Sequence, residues 1–258
     1  MAFFQLESIS TGDWIFIITS GILPALIWLT FWLNEDNKKP EPAGMILWVF
    51  LTGALMIFPA AWISSLITDC CLNDPLWLKS AFILPSNWYS LFVITAPLLL
   101  IWSAIEEIAK YSAVIVSARF TPFYDEPVDA IIYLITAALG FAAAENIFYL
   151  IQPLSLGENY LQLLVIGNLR FLGSTILHTA SSAILGGFLA LSFYADKSKK
   201  ILAGITGLTL AIGLHWGFNF FIIAIGEESI ISVLIFLWLL IVGIIFLFEK
   251  IKKINFNT

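Results

Sequence analysis

The amino-acid sequence predicts an all-α integral membrane protein: one bundle of about seven transmembrane helices, N-terminus outside and C-terminus cytoplasmic. Three observations carry that prediction. Hydrophobic residues fill 60% of the 258 positions and charged residues only 12%, about half the charged share of a soluble domain. Mean hydropathy is +0.95, a surplus of apolar surface that needs lipid around it. The apolar residues also gather into runs of about 20 or more, the length a helix needs to cross roughly 30 Å of hydrocarbon.

Taken in order, the runs place spans at 14–33, 44–68, 89–118, 128–152, 164–194, 201–225 and 229–248. The N-terminal MAFFQLES has no Lys or Arg before the first run. It lacks the positive n-region of a secretory signal peptide, so the first span is expected to be retained. The third and fifth spans are long enough to tilt, project beyond the bilayer or contain a break. The stretch 75–88, PLWLKSAFILPSNW, is semi-apolar and bounded by prolines, and reads as interfacial or re-entrant. The whole of 1–258 reads as a single transmembrane domain. Its motif core covers about 90–225, with accessory spans in 1–89 and 226–258.

Charge sets the orientation. Lys38, Lys39, Arg119, Lys197, Lys199, Lys200, Lys250, Lys252 and Lys253, nine of the twelve basic residues, fall on one side of these spans. The opposite side has only Lys79, and Lys110 and Arg170 lie within spans. The positive-inside rule assigns the basic side to the cytoplasm. A net charge of −6 argues against a nucleic-acid partner, whose phosphates call for a broad basic surface. Cys70 and Cys71 are the only cysteines. Their adjacency strains a mutual disulfide, no metal-type Cys/His spacing accompanies them, and they read as incidental loop residues.

The informative residues are the polar ones inside the spans: Glu106, Glu107, Lys110, Glu145, Arg170, His178 and His215. A charge at the centre of a membrane helix costs roughly 2.5–3.5 kcal/mol, so three bare glutamates would cost about 8–10 kcal/mol. These groups must therefore face one another or a water-filled cavity. In WSAIEEIAKYSA, Lys110 lies four residues after Glu106 and three after Glu107, within reach of either carboxylate. In FAAAENIFY, Phe141, Glu145 and Tyr149 share a face, and small alanines let a neighbouring helix approach. His178 and Ser182 are four residues apart, as are His215 and Asn219. At about 1.5 Å per residue, Glu106 and His178 sit roughly 20–26 Å from their outer helix starts. Glu145 and His215 lie similarly deep from their inner starts, so all four can meet near the midplane.

Each group has a plainer explanation. Glu106 and Glu107 with Lys110 could form a structural ion pair, and Glu145 with Asn146 an interhelical hydrogen-bonding device. A lone histidine in a helix is often a satisfied core residue, and Arg170 could snorkel to the interface. Asp125 and Glu126 fall in a solvated loop, and Asp129 suits a helix start. A coincidence of all four central groups is much harder to explain than any one of them.

The order EEIAK (106–110), FYDEPVDAIIY (123–133), FAAAENIFY (141–149), His178 and HWGFN (215–219) resembles the PrsW-type intramembrane proteases. Their wider superfamily takes in the CAAX prenyl endopeptidases, the bacteriocin-processing Abi proteins and a gamma-secretase scaffold subunit. The resemblance runs from about 90 to 225 and rests on four motifs in order on successive helices. It implies site residues Glu106, Glu107, Glu145, His178, His215 and Asn219, supported by Lys110 and Asn146. The prenyl endopeptidases carry His where this chain has Glu145, so their mechanism does not transfer directly. The implied activity is an endopeptidase acting on membrane-anchored proteins, in a prokaryotic plasma or inner membrane, near the extracytoplasmic face.

Two mechanisms fit those residues. In the favoured, cofactor-free one, Glu106 activates water, Glu107 and Lys110 tune it, and His215 and Asn219 stabilise the oxyanion, while His178 orients the water or protonates the leaving amine. In the other, zinc is held by Glu145, His178 and His215, with Glu106 as base. Beyond the protease stand a non-catalytic membrane scaffold and a proton-coupled transporter. The retained glutamates argue against the first, and the lack of inverted repeats against the second.

Overall fold

The computed structural model describes residues 9–35, 40–72, 95–155, 157, 159–225 and 230–254. Nine helices lie among the described residues. They are α1 Thr11–Glu35, α2 Ala43–Leu55, α3 Ile57–Leu72, α4 Ala96–Ser117, α5 Pro127–Ser155, α6 Tyr160–Leu172, α7 Ser174–Leu191, α8 Lys197–Ile225 and α9 Ile230–Ile251. The segment 75–88 lies outside the described residues, as does the start of the third predicted span. Cys70 and Cys71 fall in the last turn of α3 rather than in a loop.

Among the described residues, six stretches are long and apolar enough to cross a membrane: Thr11–Glu35, Ala43–Thr68, Pro127–Ile151, Tyr160–Leu191, Lys197–Ala224 and Ile231–Ile251. The predicted span missing from that set is α4, whose 22 residues carry Glu106, Glu107 and Lys110. The chain is a multi-pass membrane protein.

Helix α5 is the axis. Every residue from 127 to 143 is buried, wrapped by α1, α2 and α7, with α4 alongside. Small residues permit this. A Cβ on Gly53 of α2 would collide with the Ala137 carbonyl, and one on Gly140 of α5 with that of Phe50, so the two backbones touch where they cross. The main core then runs through Trp32, Val49, Tyr133, Leu139 and Leu177.

Two spans read as continuous are broken. The span at 44–68 divides at Met56 into α2 and α3. Pro59, in the first turn of α3, has no N–H and cannot bond the Leu55 carbonyl. The long fifth span breaks at Gly173 between α6 and α7, as its length allowed. Asn159 and Gln162 form a reciprocal capping box that starts α6.

One end of the bundle gathers the basic residues. Lys252 Nζ lies 3.0 Å from Glu35 Oε2, so the first and last helices end side by side. Tyr133 donates its hydroxyl to Glu41 and lies 3.1 Å from the Phe123 carbonyl, and Tyr124 stacks on Phe193 with centroids 5.7 Å apart. Arg119 after α4, Lys197, Lys199 and Lys200 in the first turn of α8, and Lys250, Lys252 and Lys253 at the end of α9 lie at this end.

Candidate active site

Five helices send polar side chains to one point. Helix α4 supplies Glu106, Glu107 and Lys110; α5 supplies Glu145 and Asn146. Helix α6 supplies Arg170, α7 supplies His178 and Ser181, and α8 supplies His215. Glu107, Lys110, His178 and His215 are buried, whereas Glu106 and Glu145 keep 23% and 21% of their side-chain surface exposed. The centre is thus closed around Glu107, Lys110 and the two histidines and partly exposed at Glu106 and Glu145.

The innermost layer is a saturated ion-pair network. Glu107 Oε1 accepts from Lys110 Nζ at 2.6 Å, from Ser181 Oγ at 2.9 Å and from His215 Nδ1 at 2.6 Å. Lys110 also reaches His178 Nδ1 at 3.1 Å and Ser181 Oγ at 3.3 Å. All three ammonium protons therefore find acceptors, which a lysine with no exposed surface requires.

Those partners define the ring tautomers. An ammonium only donates, so His178 Nδ1 accepts and its Nε2–H points at Glu145 Oε2, 2.9 Å away. A carboxylate only accepts, so His215 Nδ1 carries the proton and its Nε2 keeps a lone pair. That lone pair faces Glu106 Oε2 at 3.6 Å, and this buried oxygen has no hydrogen-bond partner among the described residues. The two imidazoles meet edge to face, centroids 5.0 Å apart.

An outer layer holds Glu145. Arg170 Nη2 donates to Glu145 Oε2 at 2.7 Å and to Ser174 Oγ at 3.1 Å, while its Nε donates to Asn146 Oδ1 at 2.6 Å. The guanidinium lies 4.0 Å over the Tyr149 ring, and Asn146 Nδ2 donates onward to Thr175 Oγ1 at 3.2 Å. The break at Gly173 puts Arg170 in the last turn of α6, beside Ser174 in the first turn of α7.

Glu106, Glu107, Lys110, Glu145, Asn146, His178 and His215 are all brought together. Asn219, one turn past His215 and half-buried, forms no hydrogen bond among the described residues. Arg170 does not snorkel; it is the counter-ion of Glu145, and its position inside an apolar span was the available signal. Ser181, not Ser182, serves the site, and Ser182 Oγ is buried without a partner. The closest potential metal-binding set is Glu106, His178 and His215, with donor atoms within 4.8 Å of one another. Glu106 takes the place expected for Glu145 in such a set.

The residues fit a divalent cation. One carboxylate oxygen and one imidazole lone pair lie buried and unused. The His215 ring is oriented by a carboxylate on its far nitrogen, as metal-binding histidines commonly are. The donor atoms lie within 4.8 Å of one another, and a tetrahedral zinc with bonds of about 2.0–2.2 Å would draw them closer together.

An all-helical membrane bundle enclosing a carboxylate–imidazole centre defines a polytopic intramembrane hydrolase. The chain belongs to the PrsW family: the model described as PrsW family intramembrane metalloprotease matches residues 41–247. It is similar to Protease PrsW of Bacillus subtilis (strain 168), 26% identical over 229 residues, covering 86% of this chain and 90% of that protein. Protease PrsW of Geobacillus kaustophilus is 26% identical over 208 residues, with 81% and 80% covered. That of Oceanobacillus iheyensis is 26% identical over 245 residues, with 94% and 97% covered. No solved structure matches the chain. The protein is an intramembrane endopeptidase of prokaryotic type, and the scaffold and transporter readings give way.

Proposed function

We propose that this chain cleaves membrane-anchored protein substrates with the help of a zinc ion held by Glu106, His178 and His215. The observation that carries the proposal is the buried, unpartnered Glu106 Oε2 opposite the free Nε2 of His215. His178 would join the set as its Nδ1–H tautomer: Nε2 releases its proton to solvent and Nδ1 takes one from the Lys110 ammonium 3.1 Å away, which keeps the ring neutral. When bound, the ion polarises the scissile carbonyl and lowers the pKa of water towards about 7.

The chain's own groups do the rest. Glu107 holds His215 by Nδ1, and Lys110 with Ser181 holds Glu107. Arg170 grips Glu145 by Oε2, leaving Oε1 to take a proton from the attacking water and pass it to the leaving amine. Asn219, unpaired and one turn from His215, is available as an oxyanion donor. A metal-free variant keeps Glu106 as base, with His215 and Asn219 as donors; the free Asn219 amide favours it. In both, α4 forms a seventh crossing, the N-terminus lies outside, the C-terminus is cytoplasmic, and the regions flanking 90–225 are accessory.

The test is metal analysis of the purified protein combined with cleavage of a panel of single-span substrates, with and without chelator. Wild type should hold about one zinc per chain and lose activity on chelation, and Glu106→Gln and His215→Ala should lose both metal and activity. Full activity without metal moves catalysis to the cofactor-free variant. Undiminished cleavage in both substitutions removes the site assignment altogether.

A further inference from the structure

A cavity of about 650 Å³ opens at the basic end of the bundle, between the C-terminal ends of α4 and α7 and the start of α8. Its volume is that of a small-molecule site, and its lining is of two kinds. Arg119, Lys197 and Lys200 give it a cationic lining; Leu189, Ile205 and Leu208 give it an apolar one. None of the three cations forms an ion pair with a carboxylate among the described residues. Their neighbours do: Lys199 pairs with Asp196 at 3.1 Å, and Lys252 with Glu35 and Glu249 at 3.0 and 2.6 Å. Arg119 instead lies 4.8 Å over the Tyr124 ring, and Lys200 lies 5.9 Å from that of Phe193. These aromatic contacts hold the cations beside the cavity without neutralising them.

The apolar part is a stripe on α8. Ile201, Ile205 and Leu208 recur at helical spacing on one face, and Ile201 and Ile205 are 53% and 59% exposed, so the mouth opens towards lipid. A free anion would leave that stripe bare, and a neutral hydrocarbon would leave three cations uncompensated. We propose that the cavity binds a phosphate-headed amphiphile, an anionic phospholipid whose phosphate sits among Arg119, Lys197 and Lys200 and whose acyl chain lies along α8. Basic pockets between helices at the membrane surface suit such headgroups. The cavity also borders the catalytic helices: Tyr111 in its wall follows Lys110, and Leu208 is two turns before His215. The inference does not depend on the proteolytic mechanism.

Full-length protein, delipidated in a neutral detergent, tests it by native mass spectrometry and thermal unfolding with added phosphatidylglycerol, phosphatidylcholine or inorganic phosphate. Phosphatidylglycerol should bind and raise the unfolding temperature, and the other two should do neither. Arg119→Gln/Lys197→Gln/Lys200→Gln should weaken phosphatidylglycerol binding on the order of a hundredfold. Ile205→Trp, which fills the tail slot and leaves the charges, should weaken it as well, whereas Lys250→Gln/Lys253→Gln should not. Equal binding of both lipids, or equal loss in the Lys250/Lys253 variant, overturns the proposal. A full response to inorganic phosphate alone replaces the lipid with a soluble phosphate.

Discussion

His215 offers Nδ1 to Glu107 Oε1 across 2.6 Å, and that contact determines which ring nitrogen stays available. Nε2 is left with its lone pair turned to Glu106 Oε2 at 3.6 Å. Two neighbouring glutamates on one helix therefore take opposite parts. Glu107 is spent on three hydrogen bonds that hold the site together, and Glu106 keeps a buried oxygen with nothing bound to it.

The Glu107–Lys110 pair is a stability device as well as a positioning one. Lys110→Met leaves the Glu107 charge buried without its cation and should destabilise the protein by roughly 3–5 kcal/mol. Adding Glu107→Gln removes the stranded charge and should recover part of the loss, while cleavage stays low because His215 loses its carboxylate. Denaturant unfolding in mixed micelles measures both; equal stability of the single and double variants would count against coupling.

Arg170 acts through Glu145. Its planar fork reaches Glu145 through Nη2 and Asn146 through Nε, a spacing of two donor nitrogens that the single nitrogen of a lysine does not reproduce. Arg170→Lys and Arg170→Ala should each lower cleavage roughly 10–100-fold with the helical content intact. Wild-type turnover in Arg170→Lys would show that charge alone suffices.

The α2–α5 crossing predicts a contrast among glycines. Gly53→Ala or Gly140→Ala drives a methyl into a facing backbone carbonyl and should lower stability by roughly 1–3 kcal/mol. Gly243→Ala, which meets nothing within 4 Å, should be neutral or gain up to about 1 kcal/mol from helix propensity. Thermal unfolding of the three variants decides it; indifference at all three positions would mean the helices part easily.

Glu41 predicts a pH effect outside the membrane. Burial, reinforced by the charges of Asp125 and Glu126, lifts its carboxyl above the ordinary 4.5. Folding thus favours the protonated form. Its contribution to stability is complete below about pH 4.5 and is lost as pH rises through the elevated value. Glu41→Gln stays neutral, still accepts from Tyr133, and should flatten that segment of the stability profile. Unfolding from about pH 4 to about pH 8 compares the two; superimposable profiles would eliminate the effect.

Much of this arrangement was legible in the sequence, because lipid makes every polar residue in a span conspicuous. Glu106, Glu107, Lys110, Glu145, His178 and His215 stood out on cost alone, and 164–194 was visibly too long for one straight crossing. The division of labour between Glu106 and Glu107 was not legible. Adjacent helical positions differ by about 100° in direction, and only the crossing of α4 with α7 and α8 decides which one meets Lys110, Ser181 and His215. The same rotational ambiguity exchanged Ser181 for Ser182. Arg170 was visible as a charge, but its partner Glu145 is 25 residues away, and pairing over that separation depends on the bend at Gly173. The division at Met56 was missed although Pro59 signalled it.

The seating of Gly53 on the Ala137 backbone and of Gly140 on that of Phe50 has a consequence for movement. With no side chain between them to act as a bearing, α2 and α5 have no room to slide or tilt independently, and they travel as one piece. Glu145 rides on that piece. Its carboxylate is thus anchored to a backbone seam as well as to the Arg170 guanidinium.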